Sequence, residues 1–107
     1  MSREETPRHG HAPIPMRAVE DTYNAIQKLG DFAISADGTR IRMALPGGKP
    51  TGWVYVNLPI RSLDARDAGL GDGWGWDGNR EKPTLTPSVH TFGHWHGWVR
   101  NGEMVEA

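Results

Sequence analysis

The sequence contains no cysteine, which excludes a disulfide framework and any thiolate-ligated metal site. A metal would have to be held by His, Asp or Glu. No apolar run approaches the ~20 residues that span a bilayer, and the opening residues MSREETPRHGHAP lack the apolar segment of a secretory leader. Neither charge is in excess, with 12 Lys and Arg against 13 Asp and Glu and a formal net charge of -1. A nucleic-acid binder normally shows a basic stripe, so this balance argues against that class. The expected setting is the cytoplasm, or a particle assembled there. Leu, Ile, Val and Phe are scarce too, at 19 of 107 residues. Scarcity of this kind signals disorder only when net charge is high and aromatics are few, and five Trp supply the missing apolar area.

Glycine and proline are abundant, at 14 and 8 residues. Together they make about a fifth of the chain against an ordinary eighth, so loops are plentiful and elements short. The length fits a single domain whose core is thin. Help from a metal, a partner subunit or a larger assembly is therefore expected.

Residues 1–13 show no hydrophobic period and read as a flexible tail carrying His9 and His11. From Pro15 onward Met16, Val19, Tyr23 and Ile26 recur at three and four, the mark of one helix face. Pro15 suits the first turn, Glu20 and Asp21 precede Lys28 as the helix dipole favours, and Gly30 is the stop. Beyond Gly30 the period falls to two. Phe32 and Ile34, the turn Asp37-Gly38, and Ile41, Met43 and Leu45 alternating with Arg40, Arg42 and Ala44 read as a hairpin. PGGKP, 46–50, is a loop. Trp53 to Ile60 is the densest β-forming run, with Val54, Val56, Leu58 and Ile60 on one face and Pro59 at an edge or end. Residues 61–73 hold at most one helical turn, around Ser62 to Ala68, before Gly69, Gly71 and Gly73.

WGWDGN, 74–79, ends in a turn signal, and KPTLTPSV, 82–89, is an extended stretch whose path Pro83 and Pro87 fix. His94 to Arg100, the Asn101-Gly102 turn and Glu103 to Glu106 read as a second hairpin. The expectation is therefore one domain over 14–107 of α+β class. It is mostly antiparallel β, a small sandwich or barrel-like sheet, with one N-terminal helix.

The series W-x-W-D-G-N, P-T-L-T-P-S-V and W-H-G-W-V-R-N-G-E resembles a family of short phage and prophage proteins, some of which carry the label ammonia monooxygenase. The likeness covers roughly residues 44–104 and rests on Trp74, Trp76, Asp77, Gly78, Pro83, Thr84, Pro87, Ser88, His96 and Gly102. Members of that family often carry cysteines near a Gly-rich turn and before the last strand. Here those stretches hold Gly47, Gly48 and Gly52, then His94 and Trp95, so thiolate ligation does not carry over. The resemblance implies a phage or prophage origin and a β-rich fold, and no particular activity.

His90, His94 and His96 fall within seven residues. Positions 94 and 96 of a strand share a face about 7 Å apart, which lets both imidazoles reach one ion such as zinc. His90, Asp77 or Glu103 are options for a third ligand, and hydrogen-bonded imidazoles on a half-exposed strand are the plainer alternative. Trp53, Trp76 and Trp98 are expected in the core, leaving Trp74 and Trp95 as a contact surface for a protein partner. Thr84, Thr86 and Ser88 project together, but no base stands at a spacing that marks a nucleophile, so capping of nearby backbone is the expectation. The resulting expectation is a phage or prophage accessory protein that docks on a host or virion protein, with a metal stiffening its last strands. Two alternatives are a zinc-type hydrolytic enzyme and a structural virion component forming homo-oligomers.

Overall fold

The computed structural model describes residues 12–47, 52–63, 73–91 and 95–107. The fold is all-β. Its strands are β1 (Ile14–Pro15), β2 (Arg17–Ala18), β3 (Asp31–Ile34), β4 (Arg40–Pro46), β5 (Trp53–Ser62), β6 (Trp74–Trp76), β7 (Leu85–Thr86), β8 (Val89–Thr91), β9 (Trp95–Arg100) and β10 (Glu103–Glu106). Six strands form one sheet in the order β2-β3-β4-β5-β6-β7, and four form a second in the order β1-β10-β9-β8.

The N-terminal helix is not there, which corrects the α+β expectation. Between Ile14 and Gly30 the backbone forms two two-residue strands and a single 3-10 turn, Tyr23–Ala25. Its donors go outward: Met16 N–H to the Gly102 carbonyl, Arg17 N–H to Gly30, and Val19 N–H to Phe32. Two causes stand out. Pro13 and Pro15 hold Ala12 and Ile14 out of helical backbone, and the carboxylate of Asp31 accepts the Gln27 and Lys28 N–H groups at 2.9 and 3.1 Å, diverting them from a helical ladder. The spacing of three and four was coincidental. Met16 packs on the main core, Val19 and Ile26 belong to a separate cluster, and Tyr23 is 68% exposed.

The main core lies between the sheets, built from the inward residues of β3 and β4 (Phe32, Ile34, Ile41, Met43, Leu45) together with Ile60, Trp76, Leu85, Val89, Trp95, Val99 and Met104. Alternation along β4 puts Ile41, Met43 and Leu45 inside, as period-two patterning requires. The opposite face of the large sheet is covered by the strap from Val19 to Ile26. Ile26 packs on Ala33 and Ala44 there, Tyr23 meets Tyr55 edge to face, and Asp21 pairs with Arg42. Asp31 is fully buried beneath this strap and takes two further bonds from Arg17, at 3.0 and 3.1 Å. Burial pushes its carboxyl up, yet the Arg17 bonds and the two backbone donors outweigh that and hold it below the ordinary carboxylate range.

β9 and β10 pair antiparallel through the Asn101-Gly102 turn, with Trp98 opposite Val105 and Arg100 opposite Glu103. Both turn residues have positive φ, 47° and 77°, which is the backbone that Asn-Gly accepts at least strain. The expected tail over 1–13 and the turn around Ser62 to Ala68 fall largely outside the described residues. Among the described residues no helix is long and apolar enough to cross a membrane.

Candidate functional site

The WDGN and KPT stretches form a clasp around the β9–β10 turn. Asp77 Oδ1 accepts the N–H groups of Asn79 and Thr84, and Asn79 Oδ1 accepts those of Glu81 and Lys82. Thr84 Oγ1 then accepts the Asn101 N–H at 2.8 Å, while Gly102 donates to the Pro83 carbonyl at 3.0 Å. Arg80 ties the same loop to the large sheet, donating to the carbonyls of Ile34, Ser35 and Ala36 and lying over the Trp76 ring. The backbone therefore leaves the clasp in a fixed direction. It crosses from one sheet to the other through Pro87 and Ser88.

Ser88 is held at both ends. The indole N–H of Trp74 on β6 donates to its carbonyl at 3.1 Å, and its Oγ stands 3.0 Å from Nε2 of His96 on β9. The partner comes from across the strand pair: β8 aligns antiparallel with β9, setting His90 opposite His96 and Val89 opposite Gly97. Position 96 therefore stands diagonally across from position 88, on the outward face. His90 is the next ring, its centroid 5.1 Å from that of His96 and tilted by 42°. Trp98 follows on the other side at 6.2 Å. Ser88 and Trp98 are half-buried, whereas His90 and His96 are exposed.

An oxygen-to-nitrogen separation of 3.0 Å is within reach of proton transfer, given a range of about 2.6–3.2 Å for a nucleophile and its base. When Nε2 is unprotonated, the Ser88 hydroxyl donates to it. No described carboxylate makes a hydrogen bond to His96, and the two imidazoles touch as rings without a hydrogen bond between them. Gly97, on the inward face of β9, has no room for a side chain. A Cβ there would come within 2.3 Å of the Val105 carbonyl and 2.4 Å of the Trp95 ring, so the inward Trp95 folds over a position that only glycine can occupy.

Of the residues expected to hold a metal, His90 and His96 are brought together, while His94 lies outside the described residues. Among the described residues no group of three or more His, Cys, Asp and Glu side chains is gathered. The two indoles expected at a partner surface have different surroundings. Trp95 is 7% exposed within the core, and Trp74 is half-buried, packed against the core and bonded to Ser88. Trp98, expected inside, stands half-buried beside His96.

The cavity of about 680 Å³ between the 37–39 and 77–80 loops lies elsewhere. Two of its charged groups, Asp37 and Arg80, are committed to the fold. Asp37 accepts from the Ser35 and Thr39 hydroxyls and the Thr39 amide, which brings its carboxyl down to about 2, and Arg80 is bound to three carbonyls.

The Ser88–His96 contact is what residue spacing does not reveal. Eight residues separate the two, and only the pairing of β8 with β9 makes them neighbours. A hydroxyl and an imidazole thus stand in hydrogen-bond contact on the open face of a small all-β domain. Residues 54–107 match the family described as bacterial ubiquitination-like system serine protease (BubE), and the protein, half of whose length is matched, belongs to that family. No curated protein and no solved structure matches the sequence. The matched segment contains Trp74, Ser88, His90, His96 and Trp98. The match does not bear on the phage and prophage resemblance of the motifs.

Proposed function

We propose that the protein is a serine hydrolase that cleaves acyl bonds of polypeptides, with Ser88 as nucleophile and His96 as general base. The observation that carries this reading is the 3.0 Å contact between Ser88 Oγ and His96 Nε2 within the segment that matches a serine protease family. His96 takes the hydroxyl proton as Ser88 Oγ bonds to the substrate carbonyl carbon. The imidazolium then returns that proton to the departing amine, leaving an acyl ester on Ser88. Water deprotonated by His96 attacks the ester, the acid departs, and the proton goes back to Ser88 Oγ. Trp74 fixes the Ser88 backbone from below, and the His90 ring limits the swing of His96. This reading departs from the docking module suggested by the Trp content, because the base absent from the local spacing is supplied by the neighbouring strand.

One observation favours a second reading. The cross-strand pair His90 and His96, rings 5.1 Å apart, offers two imidazoles to a zinc ion. Such an ion would compete with Ser88 for His96 Nε2. Hydrolysis of activated esters and of unfolded protein by the wild type, Ser88→Ala and His96→Ala, each with and without EDTA, separates the two. The serine reading expects Ser88→Ala to lose about a thousand-fold or more and EDTA to leave rate and melting temperature unchanged. Activity that survives in Ser88→Ala and is lost to EDTA overturns it.

A further inference from the structure

The outward face of β9 carries His96, Trp98 and Arg100 in line. The imidazole and indole centroids are 6.2 Å apart, and the Arg100 guanidinium carbon lies 4.6 Å from the Trp98 ring centroid. Continuing the β8–β9 register by one step sets Ser88 across from Trp98. On its other side Trp98 faces half-buried Val105, and exposed Arg100 faces exposed Glu103. Beside the hydroxyl there is thus an apolar platform, and beyond it a cation. Stacking on an indole orients a guanidinium while leaving its N–H donors free. Among the described residues Arg100 has its ring contact and no ion pair.

We propose that Trp98 and Arg100 form a specificity subsite that selects polypeptides bearing a carboxylate near the bond cut. The inference rests on the reading of Ser88 as nucleophile and adds the substrate class. An extended polypeptide advances about 3.3 Å per residue, and Arg100 lies two residues along β9 from the position facing Ser88, so the carboxylate falls about two to four residues from the scissile bond. The planar fork of arginine takes a carboxylate bidentately, and a side chain between cut and carboxylate rests on Trp98 and Val105. Both an Asp or Glu side chain and the C-terminus of a polypeptide present that group. Glu103 is the one described carboxylate facing Arg100, and it weakens the attraction for a second.

The test is cleavage of a peptide library read by mass spectrometry, run with free and with amidated C-termini, using the wild type, Arg100→Ala, Arg100→Glu and Glu103→Gln. The expected result is enrichment of Asp and Glu at one position near the cut, or of the free C-terminus there if that is the source. Arg100→Ala lowers kcat/KM for the preferred peptides by about three- to ten-fold, mainly through KM, and narrows their advantage over neutral peptides. Arg100→Glu shifts the preference toward Lys and Arg, and Glu103→Gln sharpens the acidic one. Cleavage without acidic preference, or a preference that survives Arg100→Ala, overturns the subsite alone. Absence of all cleavage by the wild type overturns the Ser88 reading and the subsite with it.

Discussion

Replacing Trp74 by Phe isolates the support of Ser88 from the chemistry of Ser88. The substitution removes the indole N–H that donates to the Ser88 carbonyl at 3.1 Å and part of a half-buried ring on the core. A neutral hydrogen bond contributes about 0.5–1.5 kcal/mol net, and the lost ring area adds on the order of 1 kcal/mol at half burial. The expected loss of about 1.5–2.5 kcal/mol lowers Tm by roughly 6–20 °C in a domain of this size. The effect on reactivity is separate and larger. Displacement of a reacting group by about 1 Å costs up to a hundred-fold in rate, so phosphonylation of Ser88 by a fluorophosphonate should slow by about ten- to a hundred-fold. The assay is the labelling rate well below Tm, where a parallel urea curve shows the variant fully folded. A labelling rate within two-fold of wild type, alongside the expected drop in Tm, would refute the positioning role and leave Trp74 as packing alone.

Asp31→Asn should destabilise the fold by about 2–4 kcal/mol at neutral pH, because a buried carboxylate holding Arg17 and two amides loses its charge while Arg17 remains half exposed. The folded-state pKa of Asp31 is lowered, so its contribution is complete above the unfolded value near 4 and is lost as pH falls through the folded one. Urea curves of wild type and variant should therefore converge in acid, and a constant gap down to about pH 2 would contradict the account. Gly97→Ala places a Cβ 2.3 Å from the Val105 carbonyl and 2.4 Å from the Trp95 ring, so at least about 2 kcal/mol of stability should be lost. A thermal melt matching wild type would show that Trp95 does not close over Gly97.

Much of the β architecture was legible because it obeys short-range rules. Ile41, Met43 and Leu45 alternate inward along β4, the run from Trp53 forms the longest strand, and Asn101-Gly102 makes the turn its chemistry favours. The N-terminal stretch misled for a physical reason. Its apolar residues serve two different clusters on opposite faces of a sheet, and their spacing imitates a single helical stripe. A buried Asp31 some residues downstream decides the backbone there, and no local pattern announces it. The site was half legible. His90 and His96 stood out as residue types, and the prolines around Ser88 marked an extended path. Their meeting depends on strand register, which sets Ser88 diagonally opposite His96 and converts a capping hydroxyl into one with a base. Trp74 belongs to a third element, and its hold on the Ser88 carbonyl leaves no trace in the spacing.

The most direct test is the mass of the intact protein after exposure to diisopropyl fluorophosphate, followed by peptide mapping. The account predicts a single diisopropylphosphoryl adduct on Ser88 that fails to form in His96→Ala and forms at the wild-type rate in Thr86→Ala, whose hydroxyl belongs to the same stretch. A protein that stays unmodified at Ser88 while folded, or one that labels equally well without His96, contradicts it.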